Sequence, residues 1–406
     1  MKLKIKKHLI KSIFLAALTA LVIILVAYTY FDNNRNTTAQ PEKIYYVINP
    51  YENVDWDLYG QYKANFHTHS TNSDGINSVR DMVEKYYAMG YDILGITDHN
   101  FLSLNWNAIG FSSITAKRLN EISTGLGRSG NPMISIDYSA EQSSVEHINT
   151  FWASFINTYD DMQTDVILKC ESLGGISHIN HPSRYTGGYA ADDKISAAAS
   201  NNITNIKKYT NIFLEYSSCV GMEIISKLDS DSKGDRILWD NILERTTPHD
   251  RFVWGFAGDD AHSREAAGYA WNVMLMPELN QAETRTAMEN GAFYAVSRVS
   301  RFDGINRYYP DGVEICDEGN ESTLYLLGQS APGISRIEVI GSTIAISGTD
   351  YDTIEWIADG AFIAVGETIE LNDYLRYIGS YVRAQLKSET GIAFTQPFGI
   401  KKIALN

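Results

Sequence analysis

In the stretch "NFHTHSTNSDG" (65–75) two histidines flank one threonine, and Asp74 follows five residues behind the second. Residues two apart in an extended chain point the same way, so His67 and His69 share a face and Thr68 takes the other. Two imidazoles at a strand end can grip one metal ion, although the triplet alone is a weak motif. Its weight comes from where the other histidines lie. Of the nine in the chain, His8 sits in a basic tail and six occupy places where a strand should end. Besides His67 and His69 these are His99 in "DILGITDH", His147 opening "HINTFW", His181 in "GGISHINHP" and His262 in "WGFAGDDAH". Active sites of parallel α/β barrels collect at strand C-termini and draw on several strands at once. Carboxylates accompany the imidazoles: Asp74, Glu141 six residues before His147, and Asp260 two before His262. Mixed imidazole and carboxylate donors suit zinc, manganese or iron, and bridging carboxylates suit clusters of two or three ions. Any one of these residues alone fits a helix cap, a turn or a satisfied core histidine. The set does not.

The elements that must position this set alternate helix with strand. "SVRDMVEKYYAMG" opens on Ser78 as N-cap with Asp81 three residues on, and it places Val79, Met82, Val83 and Tyr86 on one face before Gly90. "YDILGIT" follows as a buried strand. The unit recurs as "DVILKCESLGG" then "ISHIN", "DRILWDNILER" then "FVWGFAG", and "TRTAMENG" then "AFYAVSR". Repeated units of this kind predict a parallel sheet closed into an α/β barrel over residues 59–310. From 311 to 406 the texture changes to short β-rich runs broken by Gly, Asp and Asn, which reads as a separate antiparallel sandwich.

The N-terminus has its own character. Residues 1–11 carry five lysines and no acid, and 12–31 run without a charge, long enough to cross the roughly 30 Å hydrocarbon of a bilayer. We read 12–31 as a transmembrane signal anchor, 1–11 as its cytoplasmic tail and 32–58 as a linker; secretion after cleavage is the alternative. Either way the catalytic part faces outward. Without the five lysines of the tail, 29 basic residues face 49 acidic ones, a charge of about −20 that disfavours a phosphate backbone as partner. Cys170, Cys219 and Cys316 show no CxxC spacing, and so imply neither a disulfide framework nor a zinc ribbon.

Taken in order, "NFHTHSTNSDG", "GYDILGITDHN", "HINHPSR" and "GFAGDDAH" resemble the four motifs of the PHP family, the polymerase and histidinol phosphatase metallohydrolases, over roughly residues 59–300. The resemblance implies a distorted (β/α)7 barrel with up to three metal ions at the strand C-termini. Carried over, it gives one ion to His67, His69 and Asp260, with Glu141 bridging to a second ion held by His147 and His181. A third would take Asp74, His99 and His262. Asp98 becomes structural or supporting, and Asp259 stands where many relatives carry serine. Two positions depart from the pattern. "MISIDYSAEQSS" offers Asp137 as well as Glu141, of which side-chain type favours Glu141; "SHINHP" offers His178 and His181, of which the following proline favours His181.

The chemistry implied is hydrolysis by a metal-bound hydroxide, which needs no serine or cysteine nucleophile. Glu141, Asp260 and Arg184 are the expected catalytic residues, Arg184 of "HPSR" being placed to fork onto phosphate or carboxylate. The expected protein is a membrane-anchored phosphoesterase for small organic phosphates, with two or three zinc, manganese or iron ions and no nucleic-acid partner. An ester or carbamate hydrolase of the exported PHP-like type, and a non-catalytic surface binding protein, are the alternatives.

Overall fold

In a computed structural model of the chain, Ser78 does cap a helix, Val79–Ala88, through a reciprocal capping box with Asp81. Val79, Met82, Val83 and Tyr86 form its buried face, joined by Tyr87. The helices Gln163–Ser172, Lys233–Thr246 and Gln281–Asn290 likewise stand where the sequence places them. The structure describes residues 42–107, 113–144, 146–158, 161–189, 193–227, 232–298 and 330–404. The expected tail 1–11, the expected anchor 12–31 and the expected boundary at 310/311 lie outside them. No helix among the described residues is long and apolar enough to cross a membrane.

The strands leading to the candidate residues are β1 (Glu42–Ile48), β2 (Gly60–Asn65), β3 (Ile93–Leu94), β4 (Ile134–Ser135), β5 (Ala140–Gln142) and β6 (Ile148–Phe151). They are followed by β7 (Ile176–Ile179), β8 (Cys219–Ser226), β9 (Trp254–Gly258), β10 (Ala270–Met276) and β11 (Phe293–Ser297). β2, β3 and β4 pair in parallel, as do β7, β8 and β9. Parallel bridges join them: Thr68 past β2 to Ala261 past β9, and His99 past β3 to Glu141 within β5, which reaches β7 through β6. The pairing thus runs round a ring from β2 to β9 and back.

The ring is mixed rather than all parallel, because β5–β6 and β6–β7 are antiparallel. A short turn joins β5 to β6 with no room for a crossover helix, and a hairpin must reverse direction. β10 departs further. It pairs antiparallel with β2 and β11 and carries the ladder out of the ring.

The C-terminal strands are β12 (Gly333–Ile340), β13 (Thr343–Thr349), β14 (Thr353–Ala358), β15 (Ala361–Val365), β16 (Thr368–Glu370), β17 (Tyr381–Ser388), β18 (Gly391–Phe394) and β19 (Phe398–Ala404). β12, β13 and β16 form one antiparallel sheet. The others do not stand apart as expected, since β18 pairs with β11 and the ladder runs without a break from β2 to β17. Two buried contacts tie these strands to the ring. The Gln396 side chain accepts from Gly255 N–H (2.8 Å) and donates to Gly255 C=O (2.9 Å), bracing β9. Arg383 on β17 forks onto Asp240 of the helix Lys233–Thr246, at 2.8 and 2.7 Å.

The linker expected over 32–58 is folded in its later part: Ile44, Val47, Tyr51 and Val54 are buried in the main core, and Tyr51 O–H donates to Phe293 C=O at 3.0 Å. These apolar residues are spaced among Asn, Pro and Asp, which masks the strand and turn they make. Ile44–Lys401 makes one compact unit.

Candidate metal centre

The site is built around strand ends: Glu141 lies inside β5, His147 just before β6, and the other candidate ligands in the segments that follow β2, β3, β7 and β9. His67 and His69 lie past β2, where Thr68 bridges to Ala261 and His69 N–H donates to Ala261 C=O at 2.9 Å. Thr68 turns to the other side, its hydroxyl reaching Asn65 and Tyr86, as strand alternation requires. His181 and Asp260 follow β7 and β9 with φ of 28° and 45°, in the left-handed region that a residue with a Cβ enters only at a cost. That turn swings both side chains inward from strands whose own alternation had ended.

Glu141 is the hub. Its Oε1 lies 3.1 Å from His67 Nε2, 3.0 Å from His147 Nδ1 and 3.4 Å from His181 Nε2. Its Oε2 lies 2.7 Å from His99 Nδ1 and 3.6 Å from His69 Nε2. Asp260 Oδ1 is 3.1 Å from His69 Nε2 and 3.5 Å from His67 Nε2. Asp74 Oδ2 lies 3.2 Å from His262 Nε2 and 3.6 Å from His99 Nε2. All nine expected ligands are therefore brought together. Donor atoms fall into four overlapping groups: His67, His69 and Asp260; His67, Glu141 and His181; His99, Glu141 and His147; and His69, Asp74, His99 and His262. The first and last correspond to two of the expected ions, with His69 added to the last. His147 and His181 fall in different groups, each sharing Glu141, rather than in one.

The donor set fits metal ions on a structural ground. His67 Nε2, both ring nitrogens of His69 and His181, His99 Nδ1 and His147 Nδ1 are buried without a hydrogen bond, as are Glu141 Oε2 and Asp260 Oδ2. Buried polar atoms are ordinarily satisfied, and a nest of orphans costs stability unless something shared completes them. The imidazoles and carboxylates approach to about hydrogen-bond distance without hydrogen-bond alignment, so the lone pairs converge on common points instead of on each other.

Electrostatics reinforces this. Burial works to raise the pKa of Asp260, yet His67, His69 and His181 around it hold the carboxyl well below its usual range. Glu141 is held down in the same way, chiefly by His67 and His147. Burial would depress His67, but Glu223, Glu141 and Asp260 together outweigh it and keep the ring well above the ordinary imidazole value. Burial lowers His181 despite the same carboxylates.

The residues held in reserve take other parts. Asp98 accepts from Ser70 N–H (2.6 Å) and from the Ser70 and Ser73 hydroxyls (2.7 Å each), so it shapes the loop after His69. Asp259 accepts three backbone N–H bonds from Gly268, Tyr269 and Ala270, each at 2.8 Å, and turns away from the cluster. Asp137 accepts from the Asn105 side chain, and His178 stacks on Phe256 with ring centroids 4.7 Å apart. Neither falls in a donor group. Arg184 reaches the site, its Nη2 3.6 Å from Asp260 Oδ2.

Three contributors escaped the sequence reading. Glu223, buried on β8, has Oε1 2.7 Å from His67 Nδ1, while its Oε2 accepts His181 N–H at 3.0 Å. Asn180 donates to Glu141 Oε1 at 2.7 Å. Lys227 places Nζ 3.4 Å from Asp260 Oδ2. A lone glutamate inside the apolar run "CVGMEIIS" was the one signal available, since a buried carboxylate demands a partner.

No protein-family model and no curated protein matches the chain. Solved structures do. It is similar to a two-domain protein from Bacteroides vulgatus containing a predicted PHP-like metal-dependent phosphoesterase, at 15% identity and TM-score 0.42, covering 87% of this chain and 89% of that one. It is also similar to a candidate metal-dependent phosphoesterase from Bifidobacterium adolescentis, at 14% identity and TM-score 0.29, covering 50% of this chain and 88% of that one. A lesion-specific endonuclease from Pyrococcus furiosus matches at 13% identity and TM-score 0.32, over 57% of this chain and 56% of its own.

Proposed function

We propose that the chain is a metal-dependent hydrolase, and specifically a phosphoesterase of PHP type acting on small organic phosphates from a distorted α/β barrel. One observation carries this: six histidines and three carboxylates converge around the strand ends, and buried ring nitrogens and carboxylate oxygens of His67, His69, His99, His147, His181, Glu141 and Asp260 have no hydrogen bond. His67, His69, His99, His147, His181 and His262 with Asp74, Glu141 and Asp260 would hold two or three divalent ions. Such ions, when bound, lower the pKa of water and neutralise charge on the oxygen under attack.

The chain's own residues do the rest. Glu141 touches members of every donor group and sets the spacing of whatever the groups hold. Glu223 fixes the His67 ring with Nε2 inward, and Asn180 fixes Glu141. Arg184, about a third exposed at the rim, is free to orient an anionic group against Asp260. The run 12–31 supports an outward-facing, membrane-anchored placement, and the acidic composition supports small molecules over nucleic acid.

Purified protein supplied with zinc or manganese should hydrolyse an aryl phosphate and lose that activity on His67→Ala. Turnover of an aryl ester alone would instead assign it to the ester and carbamate hydrolases, and retention of less than one ion per chain would return it to a binding role.

A further inference from the structure

Lys227 stands directly after β8 with φ of 60°, and its N–H donates to Gly258 C=O at 3.0 Å. A lysine in the left-handed region is strained where glycine would not be, and such strain collects at sites of function. What the strain achieves is visible: Nζ is brought to 3.4 Å from Asp260 Oδ2. From the end of β7, Arg184 brings Nη2 to 3.6 Å from the same oxygen. That oxygen accepts no hydrogen bond, so both cations pair with it by charge alone. Both remain partly open to solvent, at 26% and 34%, whereas Asp260 is buried.

Charge then decides what belongs between them. An Asp260 carboxylate serving a metal ion no longer cancels two neighbouring cations. Two cations converging on one point at a rim are stabilised by an anion carrying at least two charges and more than one free oxygen. A phosphate monoester near neutral pH offers both. A diester carries one charge and has one fewer free oxygen, and a neutral ester or carbamate has no charge to offer.

We propose that Lys227 and Arg184 form a two-cation clamp for a dianionic phosphate monoester, making Lys227 a specificity-determining residue that selects monoesters over diesters. The proposal rests on the phosphoesterase reading above and adds the substrate class.

Lys227→Gly is the informative variant, because glycine accepts the backbone conformation and the fold should survive. The full chain, loaded with manganese, is titrated with inorganic phosphate by calorimetry, and metal content is measured alongside. We expect phosphate affinity to fall by roughly ten- to a hundredfold in Lys227→Gly at unchanged metal content, and to recover largely in Lys227→Arg. The ratio of kcat/KM for an aryl phosphate to that for a bis-aryl phosphate should fall at least tenfold in the same variant. Equal phosphate affinity in wild type and Lys227→Gly overturns the clamp, and so does loss of both substrates in proportion. Should the wild type turn over only an aryl ester, the phosphoesterase reading fails, yet the phosphate titration still decides whether the clamp exists.

Discussion

Glu223 Oε1 lies 2.7 Å from His67 Nδ1, and both residues are buried. A metal-binding imidazole needs its outer nitrogen held by an acceptor, which fixes both ring orientation and tautomer. Glu223 meets that need and, through its other oxygen, also receives His181 N–H. Glu223→Gln keeps the size but removes the charge, and an outer partner of this kind is worth about 10- to 100-fold in metal affinity. Competition against a chromophoric chelator measures it. Affinity unchanged within threefold would show that His67 does not depend on Glu223.

Gly258 makes that pair possible. A Cβ added there would lie 2.5 Å from Glu223 Oε1 and 2.9 Å from His67 Cβ, too close for either to remain in place. Glu223 cannot give way without breaking both its contacts. Gly258→Ala should therefore lower Tm by several degrees, from an overpacking cost of about 1–3 kcal/mol, and reduce metal content together. Thermal melts with metal analysis check the coupling; loss of stability with full metal content would place the strain elsewhere.

Asp74 differs from the other candidate ligands in being 56% exposed, and it belongs only to the outer group with His69, His99 and His262. Its removal leaves the buried groups around Glu141 whole. Asp74→Ala should lower the metal count by one while the protein stays folded, as elemental analysis after gentle purification will reveal. Complete loss of metal would mean that the ions bind as one cooperative unit.

Asp235 supplies a pH dependence. Burial raises its carboxyl to about 7 from 3.8, although Ser183 N–H (2.6 Å) and hydroxyl (2.9 Å) both reach it. An acid whose pKa is raised in the folded state binds its proton more tightly there, so it costs stability as pH rises from 3.8 through 7. The full cost, about 4 kcal/mol, applies above pH 7. Asp235→Asn keeps Oδ1 as acceptor for Ser183 N–H and removes the charge. Its Tm should exceed that of the wild type at pH 8 and converge with it near pH 4; a constant difference across that range would rule out titration of Asp235 as the cause.

The fold and site were legible where the signal is local. The cap at Ser78, the shared face of His67 and His69, and the gathering of histidines at strand ends all follow from backbone periodicity, which a sequence displays directly. What stayed hidden depends on partners distant in sequence. Nothing in "AWNVMLM" announces that β10 runs antiparallel to β2, because a strand buried on both faces looks alike in either direction. Glu223 finds its role only when β8 comes beside His67, 156 positions away in sequence. Lys227 looks like an ordinary surface lysine until its backbone turn is known.

The choice between His178 and His181 supplies the sharpest test of that legibility. His178 lies in β7 between Phe151 and Phe256, with neither ring nitrogen hydrogen-bonded, and burial lowers its pKa to about 4 from 6.5. A base depressed in the folded state contributes full stability above pH 6.5 and loses it as pH falls toward 4, by about 3 kcal/mol. His178→Phe keeps the aromatic packing and cannot be protonated. It should retain all its metal and unfold at lower pH than the wild type in an acid titration followed by circular dichroism. His181→Phe should do the reverse, losing metal from a group centred on Glu141 while leaving the acid transition of His178 in place. If His178→Phe loses metal and His181→Phe does not, the two histidines have exchanged roles and the convergence at Glu141 must be redrawn.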